Sequence, residues 1–173
     1  MFDILFSPWR YEYIKSFTKP EKTEKCLFCE LWSLPEHMHE KSYVLYKGRE
    51  ALIVLNIYPY NTGHLMIAPK RHVASIEYLE DHELYYVNLL LKVSVKALRR
   101  AYNPDGFNIG INIGRAAGAG VEDHVHIHVV PRWYGDANFM PILSGTKVLP
   151  QSLDDTYKLL KPLIIDEIRK IGL

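Results

Sequence analysis

The 173-residue chain lacks three features that would assign it to a specialised class of protein. With 21 basic and 20 acidic residues its net charge is only +1, so it has no basic field of the kind that binds long nucleic acids. No apolar run approaches the ~18 residues that a membrane span needs. Its two cysteines are too few for a disulfide-rich secreted scaffold. We therefore expect neither a long nucleic acid nor a membrane as a partner.

The rest of the composition is that of an ordinary globular protein. Hydrophobic residues make up 48% and charged residues 24% of the chain, and its length suits one domain. We expect a single domain over residues 1–173, with an aromatic N-terminal arm at 1–25 and a C-terminal extension at 134–173. Asp3 lies where a secretory signal would be basic, and cysteines are scarce. Both observations predict a cytoplasmic protein.

Hydrophobic periodicity predicts an α+β fold. Short runs rich in β-branched residues predict five strands, at 44–46, 51–55, 64–68, 107–113 and 125–131, the first two forming a hairpin. Apolar residues recur every three or four positions over 77–100 and 154–171, which predicts a long amphipathic helix and a C-terminal helix. Pro162 should kink or restart the second helix. We expect a mainly antiparallel sheet of about five strands with these helices packed on it.

Three histidines alternate with apolar residues in the last predicted strand. Since successive side chains of a strand point to opposite faces, His124, His126 and His128 should share one face, about 6.6 Å apart. Two chemistries fit such a row. It could bind a catalytic metal with open positions, or one unmetallated imidazole could attack a substrate while its neighbours manage protons.

Two further segments carry weaker signals. Cys26 and Cys29 have a spacing that allows both thiolates to bind one Zn²⁺, with His72 and one histidine of the row completing the ligand set. A redox pair or two buried small side chains would have the same spacing. The small-residue loop 114–120 could bring backbone amides close to phosphate oxygens, and Arg115 adds a positive charge. An ordinary turn would have the same composition.

The segment from His124 to Val130 resembles the His-φ-His-φ-His-φ-φ signature of the histidine-triad (HIT) superfamily. The likeness extends upstream to Pro59–His72 and to the Cys-x-x-Cys pair. Residues 5–10 and 129–133 are similar to the branch that contains diadenosine tetraphosphate phosphorylases and hydrolases. The resemblance implies a HIT-like fold, a homodimer and a nucleotide substrate.

The resemblance also implies a mechanism and the residues that perform it. The expected activity is hydrolysis or phosphorolysis of dinucleoside polyphosphates through a nucleotidyl-histidine intermediate, with water or inorganic phosphate as acceptor. His126 would be the nucleophile, His128 would contact the phosphate or leaving group, and His64 would lie beside them. Asn56 matches a ribose-binding position, and Asn112 matches a position that contacts the phosphate region.

The same resemblance implies a structural zinc site formed by Cys26, Cys29, His72 and His124. Four protein ligands leave no open position for water. Many relatives have Gln and Ser in the loop before the histidines, whereas this chain has Gly118-Ala119-Gly120-Val121-Glu122-Asp123. We expect backbone amides of Gly118, Ala119 and Gly120 to contact the leaving phosphate instead.

Three rival functions remain open on the sequence alone. One is hydrolysis of nucleoside phosphoramidates, for which the same triad would serve. Another is a metal-dependent hydrolase in which His124, His126 and His128 hold a catalytic metal. The last is a nucleotide sensor that binds without turnover, because a fold does not determine an activity.

Overall fold

The computed structural model describes residues 26–136 and 149–173. The predicted arm at 1–25 and residues 137–148 of the predicted extension lie outside this range, so the single-domain organisation stays a prediction. Within the described residues the strands are β1 Val44–Lys47, β2 Ala51–Leu55, β3 Leu65–Pro69, β4 Gly106–Ile111 and β5 Ile127–Arg132. The helices are α1 Leu27–Ser33, α2 Asp81–Tyr102 and α3 Leu153–Lys170.

The strands form one five-stranded antiparallel sheet in the order β1-β2-β3-β5-β4. This confirms the predicted fold class and the β1–β2 hairpin. Continuous apolar runs account for the inner strands β2 and β3, in which every residue is buried. Helix α2 connects β3 to the edge strand β4, and β5 then returns between β3 and β4.

One face of the sheet is closed by the two long helices. Alternate strand residues such as Ile53, Ile67 and Val129 pack against Leu90 of α2 and Leu160 of α3, all of them buried. Complete burial of side chains of this size stabilises a protein by roughly 1.5–3 kcal/mol each. This face therefore supplies most of the hydrophobic core.

The opposite face is covered differently. A smaller cluster joins strand residues such as Val54 and Met66 to Phe28 and Leu31 of α1. Helix α1 has only seven residues, too few to be stable without tertiary contacts. Part of this face stays open, and the histidines of the sequence motif lie there.

The helix boundaries differ from the prediction at two points. Helix α2 begins at Asp81, because Ile76–Tyr78 forms a separate 3₁₀ turn and Glu80 and Glu83 form a capping box at the helix start. Helix α3 continues through Pro162, so the predicted restart is wrong. Pro162 and Lys158, whose carbonyl loses its usual partner, are both exposed, and water can satisfy that carbonyl.

Two further differences concern the region of the motif. Helix α1 did not follow from the periodicity. Strand β5 begins only at Ile127, so His124 and His126 precede it in an irregular segment, whose Val125 amide donates to the Val73 carbonyl at 2.7 Å. Among the described helices, none is both long enough and apolar enough to cross a membrane.

The cytoplasmic location and the homodimer stay predictions.

Candidate active site and metal centre

The open part of the second sheet face contains a cavity of about 380 Å³. Val54 and Met66 of the central strands form its floor, and Leu27, Phe28 and Leu31 of α1 form one wall. His126 and His128 also line it, with residues of the β2–β3 loop at its rim. An apolar chamber that ends in two imidazoles can hold a flat organic ring and present a polar group to the histidines.

The hydrogen bond of His126 defines which of its nitrogens can react. The imidazole is only 4% exposed, and its Nδ1 lies 2.9 Å from the backbone carbonyl oxygen of His124. A carbonyl can only accept, so Nδ1 carries the proton and donates. The lone pair is therefore on Nε2. Burial lowers the pKa of His126 below its usual value, which favours the neutral form.

His64 and His128 form a hydrogen-bonded pair with a defined direction. The backbone amide of Tyr60 donates to Nδ1 of His64 at 3.1 Å, so that nitrogen accepts. In neutral His64 the proton is then on Nε2, which lies 3.0 Å from Nδ1 of His128 and donates to it. His128 in turn carries its proton on Nε2. Burial, with a smaller effect of His126, lowers the pKa of His128 to about 4.

The local backbone explains how His64 reaches this position. Its carbonyl accepts from the Asn56 amide at 3.0 Å, which closes the ends of β2 and β3. Gly63 has a φ of +77°, and a Cβ there would lie 3.0 Å from the Leu98 side chain of α2. Both the dihedral angle and the close approach require glycine before His64.

The predicted row of three histidines divides into two environments. The ring centroids of His126 and His128 are 4.9 Å apart, which brings these two rings together at the cavity. His124 lies on the same side, since Phe28 contacts the rings of both His124 and His126. However, His124 is directed to the two cysteines and not to its neighbours in the row. This division argues against a catalytic metal held by all three histidines.

Some of the other residues predicted to contact the nucleotide line the cavity and others do not. Asn56 lines the cavity, and its Oδ1 accepts from the Tyr58 amide at 2.9 Å. Gly118 and Gly120 also line the cavity, whereas Ala119 is buried behind them. Asn112 follows the end of β4 and is not among the cavity-lining residues.

The backbone of the glycine loop narrows the predicted set of phosphate donors. The Gly118 amide donates to the Arg115 carbonyl at 2.9 Å, and the Ala119 amide donates to the Gly114 carbonyl at 3.4 Å. These two amides are therefore used within the turn. Among the described residues, the Gly120 amide has no backbone partner, which makes it the best placed of the three.

Four residues that are distant in sequence form a compact cluster beside the cavity. Nδ1 of His124 lies 3.3 Å from Sγ of Cys26 and 3.8 Å from Sγ of Cys29, and Sγ of Cys29 lies 3.4 Å from Nδ1 of His72. All four ligand atoms lie within 4.8 Å of one another. Tetrahedral Zn²⁺ with Zn–S of about 2.3 Å and Zn–N of about 2.0 Å requires ligand separations of about this size.

The hydrogen bond of His124 supports the same assignment. Its Nε2 lies 2.8 Å from the Pro69 carbonyl oxygen and must donate to it, which leaves the Nδ1 lone pair for a metal. His72 follows Arg71, whose guanidinium binds the buried carboxylate of Glu83 at the start of α2. The loop that carries His72 is thus attached to α2. Neither this anchor nor the Tyr60 contact with His64 has a recognisable sequence pattern.

Comparison with known proteins assigns the family. Residues 37–134 match the HIT domain. The chain is 38% identical over 158 residues to an AP-4-A phosphorylase of Mycobacterium tuberculosis, covering 90% of this chain and 81% of that one. A zinc-bound histidine triad family protein from Mycobacterium smegmatis superposes with a TM-score of 0.65 at 25% identity, covering 85% of this chain and 98% of that one.

A Hit-like protein from Bartonella henselae has the same fold, with a TM-score of 0.64 at 20% identity and coverage of 81% and 96%. The chain belongs to the HIT family, as the sequence resemblance predicted. Family membership and the phosphorylase relative support a nucleotide-processing activity. The ligand cluster and the zinc-bound relative together confirm a structural zinc site.

Proposed function

We propose that the protein cleaves dinucleoside polyphosphates such as diadenosine tetraphosphate, with His126 as the nucleophile. The observation that carries this proposal is the hydrogen bond from Nδ1 of His126 to the His124 carbonyl. It directs the proton to one nitrogen and leaves Nε2 as a nucleophile on a residue that lines the cavity. Imidazole is mostly neutral at neutral pH, with an unperturbed pKa of about 6.5.

In the first step, Nε2 of His126 attacks the α-phosphorus of the bound nucleotide. An N–P bond forms, the P–O bond to the rest of the polyphosphate breaks, and the leaving nucleotide takes the electron pair of that bond. For diadenosine tetraphosphate this step releases ATP and leaves an adenylyl group on His126. The covalent intermediate divides one difficult displacement into two easier ones.

In the second step, an acceptor oxygen attacks the same phosphorus and breaks the N–P bond. With inorganic phosphate as acceptor the product is ADP, and with water it is AMP. The Mycobacterium tuberculosis relative, an AP-4-A phosphorylase, supports phosphate as the acceptor here. The overall reaction is then diadenosine tetraphosphate plus phosphate to ADP plus ATP.

His128 and His64 control a proton beside the reacting phosphate. The chain of donors from the Tyr60 amide through His64 leaves a proton on Nε2 of His128. This N–H donates to a phosphate oxygen as negative charge builds up on the leaving group. The Gly120 amide, in the small-residue loop 114–120, is a second donor to the phosphate oxygens.

The remaining contacts bind the nucleoside. Asn56 at the cavity edge binds the ribose hydroxyls, and the apolar chamber between α1 and the sheet encloses the base. Asn112 contacts the phosphate region. The zinc, when bound, has a structural role, because Cys26, Cys29, His72 and His124 fill all four positions of a tetrahedron.

The direct test is to incubate the purified protein with diadenosine tetraphosphate, with and without inorganic phosphate, and to separate the nucleotides by ion exchange. We expect ADP and ATP in equal amounts only when phosphate is present. AMP with ATP in its absence would indicate hydrolysis at the α-phosphorus, whereas two ADP would indicate hydrolysis at a β-phosphorus and would contradict the proposed first step. A His82→Ala variant, which changes an exposed histidine on α2, controls for substitution itself.

Turnover that persists in a His126→Ala variant would contradict the proposed nucleophile. Cleavage of adenosine 5′-phosphoramidate without cleavage of the dinucleotide would instead favour a phosphoramidate hydrolase. Tight nucleotide binding without turnover of either substrate would favour a sensor.

A further inference from the structure

The rim of the cavity carries an exposed tyrosine that the proposed chemistry does not use. Ile57, Tyr58 and Tyr60 of the β2–β3 loop all line the cavity and are 50%, 70% and 44% exposed. An exposed apolar group of this size beside a ligand cavity indicates a surface for a further part of the ligand or for a partner.

The size of the cavity argues for a further part of the ligand. At about 380 Å³ it lies near the lower end of the roughly 300–1,000 Å³ typical of small-molecule pockets. Such a volume encloses one nucleoside and not two. If the substrate is a dinucleoside polyphosphate, which is the function proposed above, its second nucleoside must lie outside the cavity.

The position of the histidines indicates where the second nucleoside emerges. The Tyr60 ring lies over the two proton-controlling histidines, with centroids 4.6 Å from His64 and 5.9 Å from His128. The leaving polyphosphate must pass this pair, since the N–H of His128 donates to a phosphate oxygen in the proposed mechanism. The same loop continues to Tyr58, two residues away from Tyr60.

Tyr58 has an anchored backbone and an exposed ring. Its amide donates to Asn56 Oδ1 at 2.9 Å, and the next residue, Pro59, has a fixed φ. Its ring makes no aromatic contact with another described residue. A solvent-exposed aromatic ring on an anchored backbone has few torsions to order and can stack on a nucleobase.

We propose that the Tyr58 ring is a stacking platform for the second nucleobase, the one that departs with the leaving nucleotide. The apolar chamber selects one nucleoside, and Tyr58 adds binding energy only for ligands with a base at both ends of the polyphosphate. Tyr58 is thereby a specificity-determining residue for dinucleotides over mononucleotides.

The test measures binding in a His126→Ala background, where no turnover occurs. Diadenosine tetraphosphate is compared with adenosine 5′-tetraphosphate, which lacks only the second nucleoside. We expect Tyr58→Ala to reduce the preference for the dinucleotide, expressed as the ratio of the two dissociation constants, by about fivefold or more. Tyr58→Phe should retain the ratio, because the ring is kept.

Tyr85→Ala is the matched control, because Tyr85 is 67% exposed and lies on α2, on the opposite face of the sheet. An unchanged ratio in Tyr58→Ala, or an equal loss in Tyr58→Phe, would overturn the platform and leave the proposed function intact. A change of oligomeric state with an unchanged ratio would assign Tyr58 to an interface between copies of the chain. Failure of the parent to bind either ligand would overturn the proposed function as well.

Discussion

The two faces of the sheet are built from the same strands but are stabilised in different ways. On one face, α2 and α3 cover a continuous apolar core. On the other, the seven-residue helix α1 covers only part of the surface, and the four zinc ligands lie at its start. The comparison teaches that strand alternation separates stability from chemistry, because β2, β3 and β5 each direct some residues to the core and others to the cavity.

The largest expected effect is on chemistry at the open face. Replacement of His126 by Ala should reduce dinucleotide cleavage by at least about a thousandfold, because the covalent route is lost. Loss of this buried, hydrogen-bonded imidazole should cost about 1–3 kcal/mol of unfolding free energy and leave the protein folded, since the long helices contribute most of the core. Steady-state kinetics and urea denaturation of the same preparation measure both. A comparable loss in His82→Ala would contradict the assignment.

Loss of a zinc ligand should lower both zinc affinity and nucleotide affinity, because both sites lie on the open face. Cys29→Ser should weaken zinc binding by more than the roughly 10–100-fold that loss of an outer hydrogen-bond partner costs. Nucleotide affinity should fall with it, because Leu27, Phe28 and Leu31 of α1 line the cavity. Metal analysis, calorimetric nucleotide binding and thermal unfolding measure the three effects.

The matched control for the zinc prediction is Glu30→Gln, an exposed neighbour on the same helix. It should retain both zinc and nucleotide affinity. Unchanged nucleotide affinity in a zinc-free Cys29→Ser protein would show that α1 holds its position without the metal.

A core substitution on the closed face should lower stability and leave turnover nearly unchanged. Leu160→Ala removes a fully buried side chain between α3 and the sheet, and should cost about 2–5 kcal/mol of unfolding free energy. Turnover per folded molecule should stay within about twofold at a permissive temperature. Leu159→Ala, at a site 38% exposed, is the control and should cost less than about 1 kcal/mol. Equal losses in the two variants would contradict the packing described for α3.

The smallest expected effect is an acid destabilisation due to His128. Its pKa is lowered to about 4 in the folded protein, whereas an unfolded histidine has a pKa of about 6.5. Between these values the unfolded chain binds more protons, so stability falls as the pH is lowered from 6.5 towards 4. The loss due to this group reaches at most about 3 kcal/mol.

The contribution of His128 is obtained as a difference between proteins. His128→Asn should have a shallower dependence of unfolding free energy on pH than the wild type, measured by urea denaturation between pH 7 and 4. His37→Asn, at an exposed position, should keep the wild-type slope. Identical slopes in all three proteins would contradict the lowered pKa of the half-buried His128.

Much of the fold follows from local sequence, and the exceptions have physical causes. Strands β2 and β3 are apolar on both faces, and α2 has a strong helical period, so both were predictable. Helix α1 was not, because its contacts are tertiary: Phe28 and Leu31 pack on the sheet, and Cys26 and Cys29 at its start belong to the zinc-ligand cluster. Pro162 was predicted to kink or restart α3, but the helix continues through it, at an exposed position where water can satisfy the carbonyl left without a partner.

The sequence predicted the parts of the candidate site that depend on residue type and spacing. It did not predict the parts that depend on the path of the backbone. The zinc ligands followed from the family resemblance, and the cluster confirms them. The direction of the hydrogen bonds from Tyr60 through His64 to His128 depends on how the β2–β3 loop closes. No spacing rule encodes that closure. The catalytic roles of His126, His128 and His64 stay predictions.

The most direct test of the central claim is the stereochemical outcome at the α-phosphorus. The substrate is a diadenosine tetraphosphate made chiral by sulfur and oxygen isotope substitution at that atom, and the product configuration is read by phosphorus NMR. Two successive in-line displacements, through His126 and then the acceptor, predict net retention of configuration. Net inversion would mean that the acceptor attacks directly, and would contradict the covalent role of His126.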